Sequence, residues 1–161
     1  MDDSRPMKEL NEEAVQFWEE FCAATGTSVD EPYQSWYFGN TADMAAELAQ
    51  LVIDGRKRAT ASLVAVNERL PDEAPQLGGY SVVTDKAGQP KCVIRTTGIR
   101  HIPFYEVDAQ FAFDEGEGDR SLDYWREVHS NYFSREAAEL GIEFGQRSLI
   151  CCERFELLYK R

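Results

Sequence analysis

The stretch Gly55-Arg56-Lys57-Arg58-Ala59-Thr60 lies where a helical pattern ends and a strand pattern begins. An apolar stripe at helical spacing precedes Gly55, and glycine readily ends a helix. Residues 60–66 are rich in β-branched and apolar side chains, which predicts a strand. The turn brings a lysine amine close in sequence to a hydroxyl. We expect Lys57 to lie on the turn, because residues three apart in a strand point to opposite faces.

Helical and strand patterns continue from this turn in both directions. Apolar residues at three- and four-residue steps predict a helix over 8–25, with Leu10 in its stripe, and a second helix from a cap at Asn40 or Thr41 to Gly55. The aromatic segment 27–39 between them is predicted to be an ordered loop. Further strands are predicted over 80–84, 91–97 and 148–159, and short helices over 105–114, 121–132 and 134–140.

The arrangement of these elements indicates the fold class. The strands are separated mostly by short turns, while the helices are gathered in insertions. This order favours an α+β fold in which an antiparallel β-barrel or rolled sheet of about five or six strands is surrounded by helices, rather than a doubly wound parallel sheet. A chain of 161 residues with 43% apolar residues suits one compact unit.

The amino-acid composition restricts the classes of molecule that the protein is expected to bind. The 17 Lys and Arg against 29 Asp and Glu give a net charge of −12, which disfavours long RNA or DNA but does not penalise a neutral nucleoside. No apolar run approaches the roughly 20 residues of a membrane span, and the acidic start lacks a signal-peptide pattern, so a cytoplasmic protein without a membrane partner is expected. The four cysteines lack Cys-x-x-Cys spacing and are expected to be reduced and packed.

The two histidines, His101 and His129, are far apart, and metal-ligand spacings are lacking. We therefore predict chemistry with neither a metal nor another cofactor. His101 is expected to be an exposed loop residue.

Lys57 is a candidate catalytic base. The flanking Arg56 and Arg58 are expected to disfavour a further positive charge, and partial burial would lower the pKa of Lys57 further. A solvated basic turn after a helix C-terminus explains the same residues without any catalysis, because cations suit that end of the helix dipole.

The pattern Gly55-x-Lys57-x-x-Thr60 resembles the Gly-x-Lys-x-x-Thr/Ser signature of the ASCH domain, a PUA-like β-barrel family linked to RNA and modified nucleosides. Downstream of this pattern, further segments resemble ASCH domains in their order and spacing. They are residues 80–83, 92–94, 102–104 and 111–119 and the pattern Ser121-Leu122-x-x-Trp125-x-x-x-His129. The resemblance covers Phe38 to Tyr159. It implies an ASCH domain over 38–161, with 1–37 as a helical extension and aromatic loop packed into the same globular unit.

Some small ASCH proteins are metal-free amidohydrolases that remove the acyl group of N4-acetylcytidine with a Thr, a Lys and a Glu. By motif, the resemblance implies Thr60 as nucleophile, Lys57 as base and Glu115 as an assisting acid or orienting group. We expect Glu115, rather than Glu117 or Asp119, to point into the cavity. Composition alone favours a flexible acidic turn for 115–119.

Four residues are candidates for substrate binding: Phe38, Arg56, Trp125 and His129. Trp125 and His129 share a helix face and are suited to stack on and hydrogen-bond a base, although core packing explains the pair equally well. The expected partner is a small modified nucleoside. The alternatives are an RNA-binding module, in which Lys57, its neighbouring arginines and Arg120 contact phosphate, and a ribonuclease, acting on short single-stranded RNA or tRNA; DNA is not expected.

Overall fold

A five-stranded sheet forms the centre of the protein, whose computed structural model describes residues 11–161. The strands are β1 (Tyr33–Trp36), β2 (Ala59–Leu63), β3 (Tyr80–Thr84), β4 (Pro90–Pro103) and β5 (Leu149–Lys160). Their order across the sheet is β1-β3-β4-β5-β2. β1 joins β3 in parallel, and the other neighbours are antiparallel.

The predicted α+β class and strand number are confirmed. Within residues 11–161 the outer strands β1 and β2 do not pair, so the sheet is open rather than a closed barrel. The prediction of a loop over 27–39 was wrong in part, because Tyr33–Trp36 forms β1. A strand of four residues is too short for alternation to reveal it in the sequence. The predicted strands over 80–84 and 91–97 pair as an antiparallel hairpin, β3–β4.

Within residues 11–161, five α-helices surround the sheet. They are α1 (Glu12–Thr25), α2 (Ala42–Ile53), α3 (Val64–Arg69), α4 (Ala109–Glu115) and α5 (Leu122–Leu140). Thr41 caps α2, as expected, and Ser121 caps α5. The predicted break near Ser134 was wrong, because α5 is continuous and buries Phe133 and Ala137 on either side of that residue. The predicted helix start at Lys8 and the stripe residue Leu10 lie outside the described residues.

Helices cover both faces of the sheet. Successive residues of β3 point to opposite faces, so Val82 packs with Phe17 and Phe21 of α1, whereas Val83 packs with Val52 of α2. In addition to these two clusters of buried side chains, a third cluster joins α3, α4 and α5 to β2 and β5. All four cysteines are buried, as expected. Within the described part of the chain, the helices are too short or too polar to cross a membrane.

Candidate active site

Lys57 lies in the turn between α2 and β2, as the sequence required, and its side chain is almost completely buried. The carbonyl of Leu51 accepts from the main-chain N–H groups of Arg56 and Lys57, which ends α2 and turns the chain toward β2. The Lys57 Nζ atom donates to the Ala59 carbonyl at 2.8 Å. It also donates to Glu115 Oε1 at 3.0 Å and to Glu117 Oε2 at 2.7 Å.

The second oxygen of Glu115 contacts α5. Glu115 Oε2 lies 3.2 Å from His129 Nε2 and accepts from the indole N–H of Trp125. The other ring nitrogen, His129 Nδ1, lies 2.8 Å from the Trp125 carbonyl oxygen. Both nitrogens of His129 therefore face acceptors, which is the arrangement that suits a doubly protonated imidazolium.

Lys57, Glu115, Glu117 and His129 form a charge network in which two basic groups contact two carboxyl groups. Burial opposes the charge on Lys57, but the Glu117 and Glu115 carboxylates outweigh it and raise the pKa of Lys57. Burial likewise disfavours the charge on Glu115, yet the Lys57 and His129 cations hold the pKa of this carboxyl well below its usual range. The pKa of His129 is raised, because Glu115 outweighs the opposing effect of burial. Burial and the nearby Glu115 charge raise the pKa of Glu117 despite Lys57.

The lowered pKa expected for Lys57 was wrong. The guanidinium of Arg56 points to the Gly116 and Gly118 carbonyls, and that of Arg58 pairs with Asp114, so neither acts strongly on the Lys57 amine. Two carboxylates in direct contact decide the pKa instead. Lys57 is an ammonium in the resting site.

The network borders an open cleft. Thr60 of β2 lines the same cleft as Lys57, Glu115 and Glu117. The buried Phe38 ring forms another part of the wall, with its centroid 5.3 Å from Lys57 Nζ. The cleft thus combines an aromatic wall, a hydroxyl and a buried charge network, the composition of a site for a small polar ligand with a flat ring.

Glu115, Glu117 and His129 offer oxygen and nitrogen atoms within 4.8 Å of one another, a spacing that suits a metal ion. Lys57 Nζ already contacts both carboxylates. A metal cation bound there would have to displace this ammonium.

Comparison with known proteins identifies the family. A family model described as the ASCH domain matches residues 34–159. The chain belongs to the ASCH domain family. It shares 36% identity with an ASCH domain from Lactobacillus crispatus JV V101, whose crystal structure matches at a TM-score of 0.86 over 94% of this chain and 98% of that chain. A protein from Enterococcus faecalis V583 matches at 33% identity and a TM-score of 0.80, over 90% of this chain and 87% of that chain. No curated protein matches the sequence.

In this ASCH domain, two predicted substrate-binding residues lie away from the cleft surface. Trp125 is 2% exposed, packs with Phe104 and Phe111 and donates to Glu115, so the expectation that it stacks directly on a base is corrected. It is a positioning residue for Glu115. Arg56 is not among the cleft-lining residues, and its guanidinium instead fixes the 116–118 loop.

Phe38 and His129 line the cleft, where they were expected to bind substrate. His129 stacks face to face on Trp125 at 4.3 Å. His101 is exposed as expected, but it lies in β4 rather than in a loop.

The expectation that only Glu115 of the acidic run points inward needs correction. Glu117 lines the cleft too, and its carboxylate approaches Lys57 more closely than that of Glu115. Asp119 instead accepts from the Ser121 main-chain N–H at the exposed start of α5. Glu153 of β5 is a further lining carboxylate that the sequence did not reveal, since it is buried within a strand and accepts from Thr96. The Glu-Gly-Glu spacing was the available signal for Glu117.

Gly116 packs closely against the turn that carries Lys57. Its φ is +76°, and an added Cβ would lie 2.3 Å from the Arg56 carbonyl oxygen and 3.0 Å from the Lys57 Cα. Gly116→Ala is expected to lower the free energy of unfolding by about 2–4 kcal/mol, because left-handed strain adds to a main-chain clash. Urea denaturation measures the change.

Gly26 supplies the matched control. It also follows a helix with a positive φ, +77°, but nothing lies within 4 Å of an added Cβ. Gly26→Ala should cost only the conformational strain of about 1–2 kcal/mol. Equal losses in the two variants would contradict a close contact at Gly116.

The raised pKa of His129 predicts a pH-dependent stability. The folded protein binds the imidazolium proton more tightly than the unfolded chain, whose histidine has a pKa of about 6.5. The stabilisation is complete below that value and is lost as pH rises through the folded pKa. Glu117 adds a trend of the same sign at lower pH, because its pKa is raised above 4.5.

The free energy of unfolding of wild type and His129→Gln, measured by urea denaturation from pH 5 to 9, separates these contributions. The difference between the two proteins should shrink as pH rises above about 6.5. His101→Gln changes an exposed histidine and should leave the profile unchanged. A constant difference between wild type and His129→Gln would show that His129 is not protonated in the fold.

Proposed function

We propose that this ASCH domain hydrolyses the amide of a small acylated nucleoside such as N4-acetylcytidine. One observation carries the proposal: a buried lysine, held between two carboxylates, borders the same cleft as the Thr60 hydroxyl. Amide hydrolysis by a hydroxyl nucleophile needs a proton acceptor and a donor for the leaving amine, and a Lys–Glu pair performs both. A net charge of −12 favours a small substrate over a polymer.

Glu117 explains how a lysine with a raised pKa acts as a base. Its Oε2 atom lies 2.7 Å from Lys57 Nζ, and its own pKa is raised, so it suits a proton released by the ammonium. Transfer of that proton leaves a neutral Lys57 amine without requiring release to solvent. Glu115 stays ionised and keeps the amine in place through Oε1.

The reaction then proceeds in two halves. Thr60 Oγ1 forms a bond to the acyl carbon as its proton passes to the Lys57 amine. The carbon–nitrogen bond breaks, and Lys57 returns the proton to the departing nucleobase nitrogen. A water molecule, deprotonated in the same way, attacks the acyl ester, and release of the carboxylic acid restores Thr60. Phe38 contributes an aromatic wall beside which the base ring fits.

Incubation with N4-acetylcytidine tests the function, with cytidine and acetate measured by liquid chromatography. Cytidine should appear in step with acetate, and a parallel incubation with short single-stranded RNA should show no cleavage. Cleavage of the RNA with no deacylation would contradict the proposal. It would favour the ribonuclease, in which Lys57 and a hydroxyl group activate a ribose 2′-OH. Retention of uncleaved RNA without deacylation would favour an RNA-binding module.

A further inference from the structure

Four arginines gather on the outer side of the site, although the protein carries a net charge of −12. Arg56, Arg58, Arg120 and Arg154 form this arginine patch. Arg58 and Arg154 share the Asp114 carboxylate, at 3.0 and 2.6 Å. Arg120 donates to the Arg56 carbonyl, which brings these two arginines together.

The positive charge of the patch exceeds the negative charge that it contacts. Among the described residues, Arg56 and Arg120 direct their hydrogen bonds to main-chain carbonyls, so Asp114 balances only part of four guanidiniums. The guanidiniums also act on one another, because burial, Arg56 and Arg58 together lower the pKa of Arg120. Arg120 has a φ of +66°, which is unfavourable for a residue with a side chain. Mutual repulsion and backbone strain at one place indicate a binding site for an anion.

The patch is exposed and has an aromatic neighbour. The side chains of Arg58 and Arg154 are 57% and 43% exposed. The Arg120 guanidinium lies 3.6 Å from the centroid of the Phe113 ring, which is 45% exposed. Arginines beside an exposed aromatic ring are typical of surfaces that hold nucleotides.

One loop connects the patch to the cleft. The Arg56 guanidinium donates to the carbonyls of Gly116 and Gly118, the second and fourth residues of the run from Glu115 to Gly118. Glu117 lies between these glycines, and its carboxylate lines the cleft. The loop that carries this cleft-lining carboxylate is therefore held by a guanidinium of the patch.

We infer that the arginine patch binds the phosphate ester of an acylated nucleotide, so that the substrate class is a nucleotide rather than a free nucleoside. The inference deepens the proposed function and rests on it for the acylated base in the cleft. The phosphate belongs either to a free nucleotide or to a short RNA. Guanidinium groups suit both, because they form paired hydrogen bonds with phosphate oxygens.

Calorimetric titration of the intact protein with cytidine, cytidine 5′-monophosphate and a cytidine trinucleotide tests this without any hydrolysis. The monophosphate should bind about tenfold more tightly than cytidine at low salt, since a hydrogen bond to a charged group contributes at that scale. The advantage should shrink as salt rises. Tighter binding of the trinucleotide than of the monophosphate identifies RNA as the phosphate source, and equal binding identifies the free nucleotide.

Paired variants locate the phosphate. Arg58→Gln with Arg120→Gln should reduce the affinity for the monophosphate to that for cytidine. Replacing the same two residues with Lys should retain most of the preference, which separates loss of charge from loss of fold. Arg95→Gln removes another exposed arginine, which packs on Tyr80 away from the cleft, and should change nothing. If the double Gln variant fails to fold, Arg58→Gln alone provides the test.

Equal affinities for cytidine and its monophosphate, no binding of the monophosphate, or equal losses in Arg95→Gln and the patch variants would overturn the inference. Failure of the proposed function has a different signature. In that case the monophosphate still binds through the patch, but neither N4-acetylcytidine nor its 5′-monophosphate is deacylated.

Discussion

Thr60→Val is expected to abolish the proposed deacylation of N4-acetylcytidine, with a loss in kcat of about 10³-fold or more, because the proposed nucleophile is removed. Valine matches threonine in shape and in its preference for strands, so β2 and its pairing with Glu153 should remain. Steady-state kinetics measures the loss, and thermal melting checks the fold.

Two comparisons make this result specific. Ser62 lines the same cleft from the same strand and is the alternative hydroxyl nucleophile. Retained turnover in Ser62→Ala with loss in Thr60→Val assigns the attack to Thr60, and the reverse pattern would refute that assignment. Lys57→Arg should also abolish turnover, because a guanidinium keeps its proton throughout the working pH range. An active Lys57→Arg enzyme would exclude Lys57 as the base.

Lys57→Met is expected to lower the free energy of unfolding by about 3–5 kcal/mol, the usual consequence of removing one partner from a buried ion pair. The side chains of Lys57 and Glu115 are each only 1% exposed, so solvent cannot replace the lost cation. The Glu115 and Glu117 carboxylates would then face each other without the ammonium that both contact. Urea denaturation at pH 7 measures the change.

A second substitution should recover part of that loss. Lys57→Met combined with Glu117→Gln removes one of the two opposed charges and is expected to be more stable than Lys57→Met alone. Lys91 is the matched control, because its ion pair with Asp85 is long, at 3.8 Å, and partly exposed. Lys91→Met should cost less than about 1 kcal/mol. Similar losses in Lys57→Met and Lys91→Met would show that the buried network contributes little to stability.

The positions of some site residues were predictable, because the local sequence pattern fixes the element on which they lie. The end of α2 at a glycine and the start of β2 fix Lys57 on a turn near Thr60, and both are visible in the sequence. Glu115 was expected only through the resemblance to the ASCH domain, because composition alone favours a flexible acidic turn there. Glu117 and Glu153 were not predicted, because no local rule tells which carboxylates of an acidic run, or of a strand, face inward.

Properties that depend on contacts across the fold differed from the expectations. The expected effect of Arg56 and Arg58 on the pKa of Lys57 assumed that neighbours in sequence are neighbours in space. Instead, Asp114 and the Gly116 and Gly118 carbonyls draw the guanidiniums outward, while Glu115 and Glu117, about 60 residues away, reach the amine. Trp125 shared a helix face with His129 as predicted, but the packing of Phe104 and Phe111 enclosed it.

The sequence by itself determined the α+β class, the helix–turn–strand that holds Lys57 and Thr60, and the boundaries of several elements, because these depend on periodicity, caps and turn residues within a few positions. Only the tertiary structure decided the open sheet, the charge state of Lys57 and the gathering of four arginines outside the cleft. Strand order and pKa depend on which distant segments meet and on how much water they exclude. Local sequence carries no measure of either.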